Sequence, residues 1–208
     1  MAKELIYRLN NPGYTIYHRA ALGGLAATVR AWGTNKPDGI TAELHKDHVR
    51  LAWGDALTDQ EALRRILAAS FKLTDDKLLE LPGQGIRADQ ADLRLAIHNG
   101  LCGTFLQHNK MRPGEKEPRR VEVKSADDET GELFTYKAVN SFAHQKAQGT
   151  GLLEEKLKGH WPKFASIPQS VVPGAMTGAL ELEASPEEVF LLLFLELCKF
   201  TGVMDFHV

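Results

Sequence analysis

Two pairs of short β-forming runs, each joined by a polar turn, most constrain what this chain can fold into. Ile40-Thr41-Ala42-Glu43-Leu44 and Val49-Arg50-Leu51-Ala52-Trp53 flank His45-Lys46-Asp47-His48. Further on, Arg119 to Ser125 and Glu132 to Ala138 flank Ala126-Asp127-Asp128-Glu129-Thr130-Gly131. Runs this close in sequence pair antiparallel, because a parallel return needs a crossover connection of a dozen or more residues. The spacing therefore predicts two hairpins, the first with a polar tip and the second with an acidic, solvated one.

Helical segments lie between and around these hairpins. Residues 4–9 read as another strand, ending in the turn Asn10-Asn11-Pro12-Gly13. Thr15 is placed to cap a helix whose small-residue face is Ala20, Ala21, Leu22, Leu25, Ala26 and Val29, ending near Trp32-Gly33, with Gly23-Gly24 permitting a close neighbour. Thr58-Asp59 opens a second helix on Leu63, Ile66 and Leu67. The segment Leu78 to Gly85 is broken by Pro82-Gly83, and a third helix is expected from about Asp89 to His108 on Leu93, Ile97, Leu101, Phe105 and Leu106. Gly100 and Gly103 weaken it. A polar helix from about Phe142 to Leu157, an irregular Pro-containing link from Pro162 to Gly174, and an apolar helix from Pro186 to about Phe200 complete the chain. Strands in local pairs without regular βαβ alternation predict an α+β fold, with helices packed around short antiparallel hairpins. There is no internal repeat or low-complexity tract.

Composition narrows the function classes. With 208 residues, 43% hydrophobic and 25% charged, the chain can bury one substantial core or two small ones. A formal charge of −2 supplies no global field for nucleic acid or an anionic membrane, so any such binding must be local. Cys102 and Cys198, both in apolar helical stretches, read as buried thiols and fit a reducing cytoplasm. The start of the chain lacks the pattern of a signal peptide, and the apolar run Val189 to Leu195 falls far short of the ~20 residues that cross a bilayer. The expected location is cytoplasmic, with no membrane partner.

Motifs for catalysis are weak or missing. Gly83-Gln84-Gly85-Ile86-Arg87-Ala88 fits a loose dinucleotide pattern, but Pro82 interrupts the incoming strand and no acidic residue about 20 positions on would hold a ribose, so a structural turn is the better reading. His45 and His48 sit on a predicted hairpin tip, and no His, Cys or Asp group has a recognisable metal spacing, so they read as surface histidines. No nucleophile elbow, phosphate loop, H-E-x-x-H or short paired-carboxylate motif occurs. The expectation is a binding protein without catalytic residues, metal or cofactor.

The strongest local charge is the run holding Lys110, Arg112, Lys116, Arg119, Arg120 and Lys124 against Glu115, Glu117 and Glu122, six basic residues to three acidic. Gln107, His108 and Asn109 lead into it, so cations able to neutralise phosphates lie beside groups able to hydrogen-bond base edges. Charge alone favours a solvated connection between helix and hairpin, because mixed charge runs usually mean that.

Four separated segments decide between these readings: Asn11-Pro12-Gly13-Tyr14-Thr15-Ile16-Tyr17-His18-Arg19-Ala20-Ala21-Leu22-Gly23-Gly24-Leu25, Thr104-Phe105-Leu106-Gln107-His108-Asn109-Lys110-Met111-Arg112, Tyr136-Lys137-Ala138-Val139-Asn140-Ser141-Phe142-Ala143-His144-Gln145, and Val172-Pro173-Gly174-Ala175-Met176 with the apolar Glu187 to Leu197 stretch. Together they resemble the N-terminal part of the large subunit of type I CRISPR surveillance complexes (Cascade), in the Myxococcus-type and I-B-like branch that includes transposon-associated complexes. The resemblance implies a non-enzymatic subunit near the 5′ handle of the guide RNA that helps recognise the protospacer-adjacent motif on duplex DNA. The implied partners are guide RNA, target double-stranded DNA and the handle-binding and backbone subunits. Gln107, Asn109, Lys110 and Arg112 become the leading contacts, with His108 and Lys116 beside them. Arg119, Arg120 and Lys124 are supporting phosphate contacts, and Asn140, His144, Gln145 and Lys146 are further candidates. The His18 to Leu25 segment reads as packing, with Arg19 capping or pairing internally. Large subunits of this kind are usually longer and carry a C-terminal helical bundle, so residues 1–208 are expected to form one N-terminal-type domain without it, from a split gene or a truncation. That leaves contact with the displaced strand, and with a nuclease or transposition partner, outside what the resemblance implies here. A purely architectural docking subunit that never touches nucleic acid is the alternative.

Overall fold

Alternation along three strands sets up the central sheet. The computed structural model describes residues 3–83, 90–102, 117–123, 131–140, 142, 164–167, 180–182, 186–195 and 197. Strands β1 (Lys3–Arg8), β2 (Ile40–Leu44) and β3 (His48–Trp53) form an antiparallel sheet in the order β1-β3-β2. Tyr7 pairs with Val49 and Leu5 with Leu51, while Ala42 lies opposite Leu51 and Ile40 opposite Trp53. Because successive side chains point to opposite faces, this register gathers Tyr7, Val49, Leu51, Trp53, Ile40 and Ala42 on one buried face. The other face carries the central Arg50, which donates to Glu4 at 2.8 Å and Glu43 at 3.1 Å, one carboxylate from each outer strand. At the outer edge of β2, Lys36 Nζ donates to the Ala42 carbonyl at 2.7 Å.

Helix α1 (Ile16–Trp32) packs on β2 and β3 through Leu22, Leu25, Val29 and Trp32, spaced three and four apart as a helical stripe requires. Its N-terminus uses an unusual acceptor. His18 Nδ1 accepts the Thr15 backbone N–H at 3.2 Å and lies 2.8 Å from the Thr15 hydroxyl, and the ring stacks on Tyr14 at 5.1 Å. Helix α2 (Asp59–Ser70) opens with a reciprocal box, in which Glu61 N–H donates to Thr58 Oγ1 and Thr58 N–H to Glu61 Oε2. Two indoles fix its ends: Trp53 Nε1 donates to Asp59 at 3.0 Å, and Trp32 Nε1 to the Ala69 carbonyl at 3.4 Å.

The second half of the chain is built from two-stranded pieces. β4 (Lys72–Leu73) pairs with β5 (Leu79–Glu80), β6 (Arg119–Val123) with β7 (Glu132–Tyr136), and β8 (Phe164–Ile167) with β9 (Leu180–Leu182). Strand β8 falls inside the stretch expected to be an irregular link. A four-residue run between two prolines gives little strand signal by itself, and its pairing partner lies in a separate segment. Helix α3 (Ala91–Cys102) buries Leu95, His98 and Leu101, whereas Leu93, expected on the inner face, is 40% exposed. Helix α4 (Pro186–Leu192) packs against α1, Leu195 and Leu197 are again helical, and the rest of the expected helix to Phe200 lies outside the described residues. Just after α4, Leu193 and Phe194 donate to carbonyls three residues back. Phe190 to Leu195 are all buried, so packing on every side rather than a helical stripe dictates their conformation. The expected helix over 142–157 lies outside the described residues, although Phe142 is buried against Phe71 at 5.3 Å. The fold is α+β.

His98 joins three of these pieces. Its Nδ1 accepts the Leu79 N–H at 3.1 Å, and its Nε2 lies 2.8 Å from the Lys137 carbonyl just after β7. Only the neutral Nε2–H tautomer satisfies both bonds. Tyr136 packs edge-on to the ring at 5.6 Å, and its hydroxyl donates to the Asp76 carbonyl at 3.2 Å. Burial pushes the imidazole below its ordinary range, partly offset by the Lys137 carbonyl. Gly83 makes a different closure: at φ +77° it brings the chain so near α1 that an added Cβ would stand 2.5 Å from the Ala31 Cβ.

Two outcomes follow from these contacts. His98→Ala should strand the Leu79 N–H and Lys137 carbonyl and lower unfolding free energy by about 2–4 kcal/mol, read from urea midpoints. The unfolded chain binds the His98 proton more tightly than the folded one, so this contribution is whole above about pH 6.5 and is lost as pH falls toward the lowered folded value. His18, likewise lowered by burial, acts with the same sign. Wild-type stability should therefore fall on acidification by up to about 1.4 kcal/mol per pH unit for each such histidine, and His98→Ala should flatten the profile. Separately, Gly83→Ala should destabilise by about 1–3 kcal/mol, whereas the same change at Gly54, which has open space around it, should not.

Candidate nucleic-acid interface

The basic stretch reaches the described fold at β6, where a strand's alternation separates its two arginines. Arg119 lies opposite Tyr136, and Arg120 opposite Thr135. Arg119 is half-buried, and its Nη1 donates at 3.3 Å to the same Asp76 carbonyl that receives the Tyr136 hydroxyl. Arg120 is exposed on the opposite face with Glu122 and Leu133. The sequence treated the two as equivalent phosphate contacts. The structure gives Arg119 a role in docking the hairpin onto the β4–β5 turn and leaves Arg120 as the cation presented outward.

That docking comes from the hairpin's inner face. Val121, Val123 and Phe134 pack around Leu95, Tyr136 and Ala138, and Asn99 Nδ2 donates to the Thr135 carbonyl at 3.2 Å. The Tyr136 to Phe142 segment then runs through the core: Val139 N–H donates to the Lys77 carbonyl at 3.3 Å, and Ala138, Val139 and Phe142 are buried. Asn140 is half-buried on this segment, so its backbone is set by packing on both sides. The remaining candidates, Gln107, His108, Asn109, Lys110, Arg112, Lys116, Lys124, His144, Gln145 and Lys146, lie outside the described residues.

Other polar groups singled out in the sequence take up distinct places. Gly83 is a tight turn against α1, which supports the structural reading there, while residues 84–88 of the glycine motif lie outside the described residues. His45 and His48 stand together on the β2–β3 tip, with ring centroids 4.2 Å apart and planes within 9° of parallel. Parallel rings direct their in-plane lone pairs side by side rather than onto one point. Among the described residues no group of three or more His, Cys, Asp or Glu is arranged to hold a metal ion. Arg19 donates from Nε to the Leu9 carbonyl at 3.4 Å, in keeping with the internal role read for it. Arg8, directly opposite His48, was not singled out, and its place beside the histidines depends on a register that hydrophobic patterning fixes only once β1 is known to pair with β3. No helix among the described residues is long and apolar enough to cross a membrane.

Comparison with known proteins gives this arrangement its context. The CRISPR-associated protein Cas8a1/Csx13 of Myxococcus xanthus (strain DK1622) is 32% identical over 157 residues, which is 69% of this chain and 27% of that protein. The chain thus spans about a quarter of the length of this relative. The profile of the DevT N-terminal domain matches residues 6–193, from the first strand of the central sheet to the apolar stretch that follows α4. The chain belongs to the DevT N-terminal domain family.

Proposed function

We propose that this chain is the N-terminal part of a Cas8-type large subunit of an RNA-guided CRISPR surveillance complex. In this reading it binds near the 5′ handle of the guide RNA and helps recognise the protospacer-adjacent motif on duplex DNA. The observation that carries the reading is the family match over residues 6–193, joined to the similarity to Cas8a1/Csx13. Guide pairing supplies most of the sequence information in such systems, and protein contacts hold backbone phosphates and read a short duplex element. A basic run beside amides, ending in a hairpin clamped to the core by His98, Tyr136 and Arg119, suits that division of labour.

The role is one of binding, without catalysis or a cofactor. In support, the two histidines buried among the described residues are committed to structure, His18 to the start of α1 and His98 to two backbone groups. The partners in this reading are guide RNA, target DNA and the neighbouring subunits that hold the handle and form the backbone.

Binding of the chain, assembled with its partner subunits and guide RNA, to duplexes of randomised flanking sequence over a salt series tests this reading. Joint Lys110→Ala, Arg112→Ala and Arg120→Ala should weaken motif-dependent binding more than about tenfold and reduce the slope of log K against log salt by about 2–3. Arg119 is left in place because its contact with the Asp76 carbonyl is structural. Unchanged affinity and slope, with assembly lost on substitution of exposed apolar residues, would establish the architectural alternative instead.

A further inference from the structure

The tip of the β2–β3 hairpin gathers features that neither the basic stretch nor the core packing uses. His45 N–H donates to the His48 carbonyl at 2.9 Å, which closes the turn and brings the two imidazoles into their parallel stack. The His45 side chain is 47% exposed, so the pair is reachable from solvent. Leu9 N–H donates to the Asp47 carbonyl at 2.8 Å and joins the end of β1 to this turn.

Three cations lie at this turn or at the strand end joined to it. Arg8 stands directly across from His48, Lys46 occupies the tip, and Arg19 reaches over the Leu9 carbonyl. All three are exposed; Arg8 lies within electrostatic reach of Asp47, and among the described residues none of the three makes a close salt bridge. The carboxylates nearby are already engaged. Asp47 is held on His48 Nδ1 at 2.8 Å, and Glu43 is shared between Arg50 at 3.1 Å and His45 at 3.6 Å. Three exposed cations near a solvent-reachable imidazole pair match a phosphodiester backbone with a base stacked on a ring.

We infer that the His45–His48 stack with Arg8, Arg19 and Lys46 is a second nucleic-acid contact, one that takes an unpaired nucleotide of a single strand. The inference rests on the reading of this chain as a nucleic-acid-binding subunit but uses residues other than those at 107–124. The imidazole pair is the stacking platform and the three cations hold the flanking phosphates. Recognition is sequence-tolerant, because every base offers a ring face and none of these groups is fixed to read a base edge.

The test is fluorescence polarisation of the full chain with an end-labelled oligothymidylate or oligouridylate of about a dozen nucleotides, over a salt series. The double variant His45→Ala, Lys46→Ala should bind about tenfold or more weakly, with thermal midpoint unchanged. His45→Phe should bind within about twofold of wild type, because a benzene ring also stacks. If the double variant fails to fold, Lys46→Glu replaces it with the same expected loss. No binding by wild type, unchanged binding by the double variant, or a loss in His45→Phe equal to that in His45→Ala overturns the inference. Displacement of the oligonucleotide by an acidic polypeptide at equal charge also overturns it and assigns the patch to a protein partner. The variant lacking Lys110, Arg112 and Arg120, tested in parallel on duplex, separates the two readings. Loss on duplex there, with an indifferent hairpin tip, rejects only the second contact.

Discussion

A neutral imidazole holds the outer half of this domain to the inner half. Among the described residues, His98 hydrogen-bonds both to β5 and to the strand end after β7, one bond through each ring nitrogen. A residue with two donors or two acceptors could not serve both a backbone N–H and a backbone carbonyl in this geometry. This ring adds a polar anchor to the apolar packing that docks the β6–β7 hairpin, and Tyr136 and Arg119 add a clamp on a single carbonyl of the neighbouring turn. The place of Arg120 therefore depends on how the hairpin docks, through this buried polar group and the apolar inner face together, and not on its strand pairing alone. A two-stranded ribbon is marginal by itself, so such docking is what gives it a fixed place.

Much of the architecture was legible because local rules agreed with one another. The first hairpin, its polar tip, the Thr15 and Thr58 caps and the end of α1 at Trp32 all follow from short-range signals, and the structure has each of them. What escaped depends on partners distant in sequence. β8 pairs with β9 from a separate segment, and α3 turns Leu95 and His98 inward beside the expected Ile97 and Leu101 while leaving Leu93 exposed. The terminal apolar run offered a helix on composition, but a segment buried on all sides carries no stripe from which to read its length.

The candidate interface was legible as charge and less so as geometry. Counting cations treats Arg119 and Arg120 alike, yet neighbours in a strand face opposite ways, and here one serves the core while the other faces solvent. Likewise, His45 and His48 were visible as a spacing on a turn, but their parallel stacking follows from the closed hairpin, and Arg8 joins them only through the pairing of β1 with β3. Sequence located the polar tip. Folding decided which side chains share it.

The contact between Lys36 and the Ala42 carbonyl bears on how the molecule behaves among copies of itself. In the register of β2 on β3, Ala42 turns its backbone outward, so this carbonyl is one that an incoming extended segment would need for lateral growth of the sheet. An ammonium seated on it removes that acceptor and places a positive charge where a second strand would arrive. The outer rims of the sheet are further guarded by charged residues, Glu4 and Arg8 on β1 and Glu43 on β2. A three-stranded sheet with two edges is thereby kept from templating its own extension at β2, which favours a discrete molecule over edge-to-edge association.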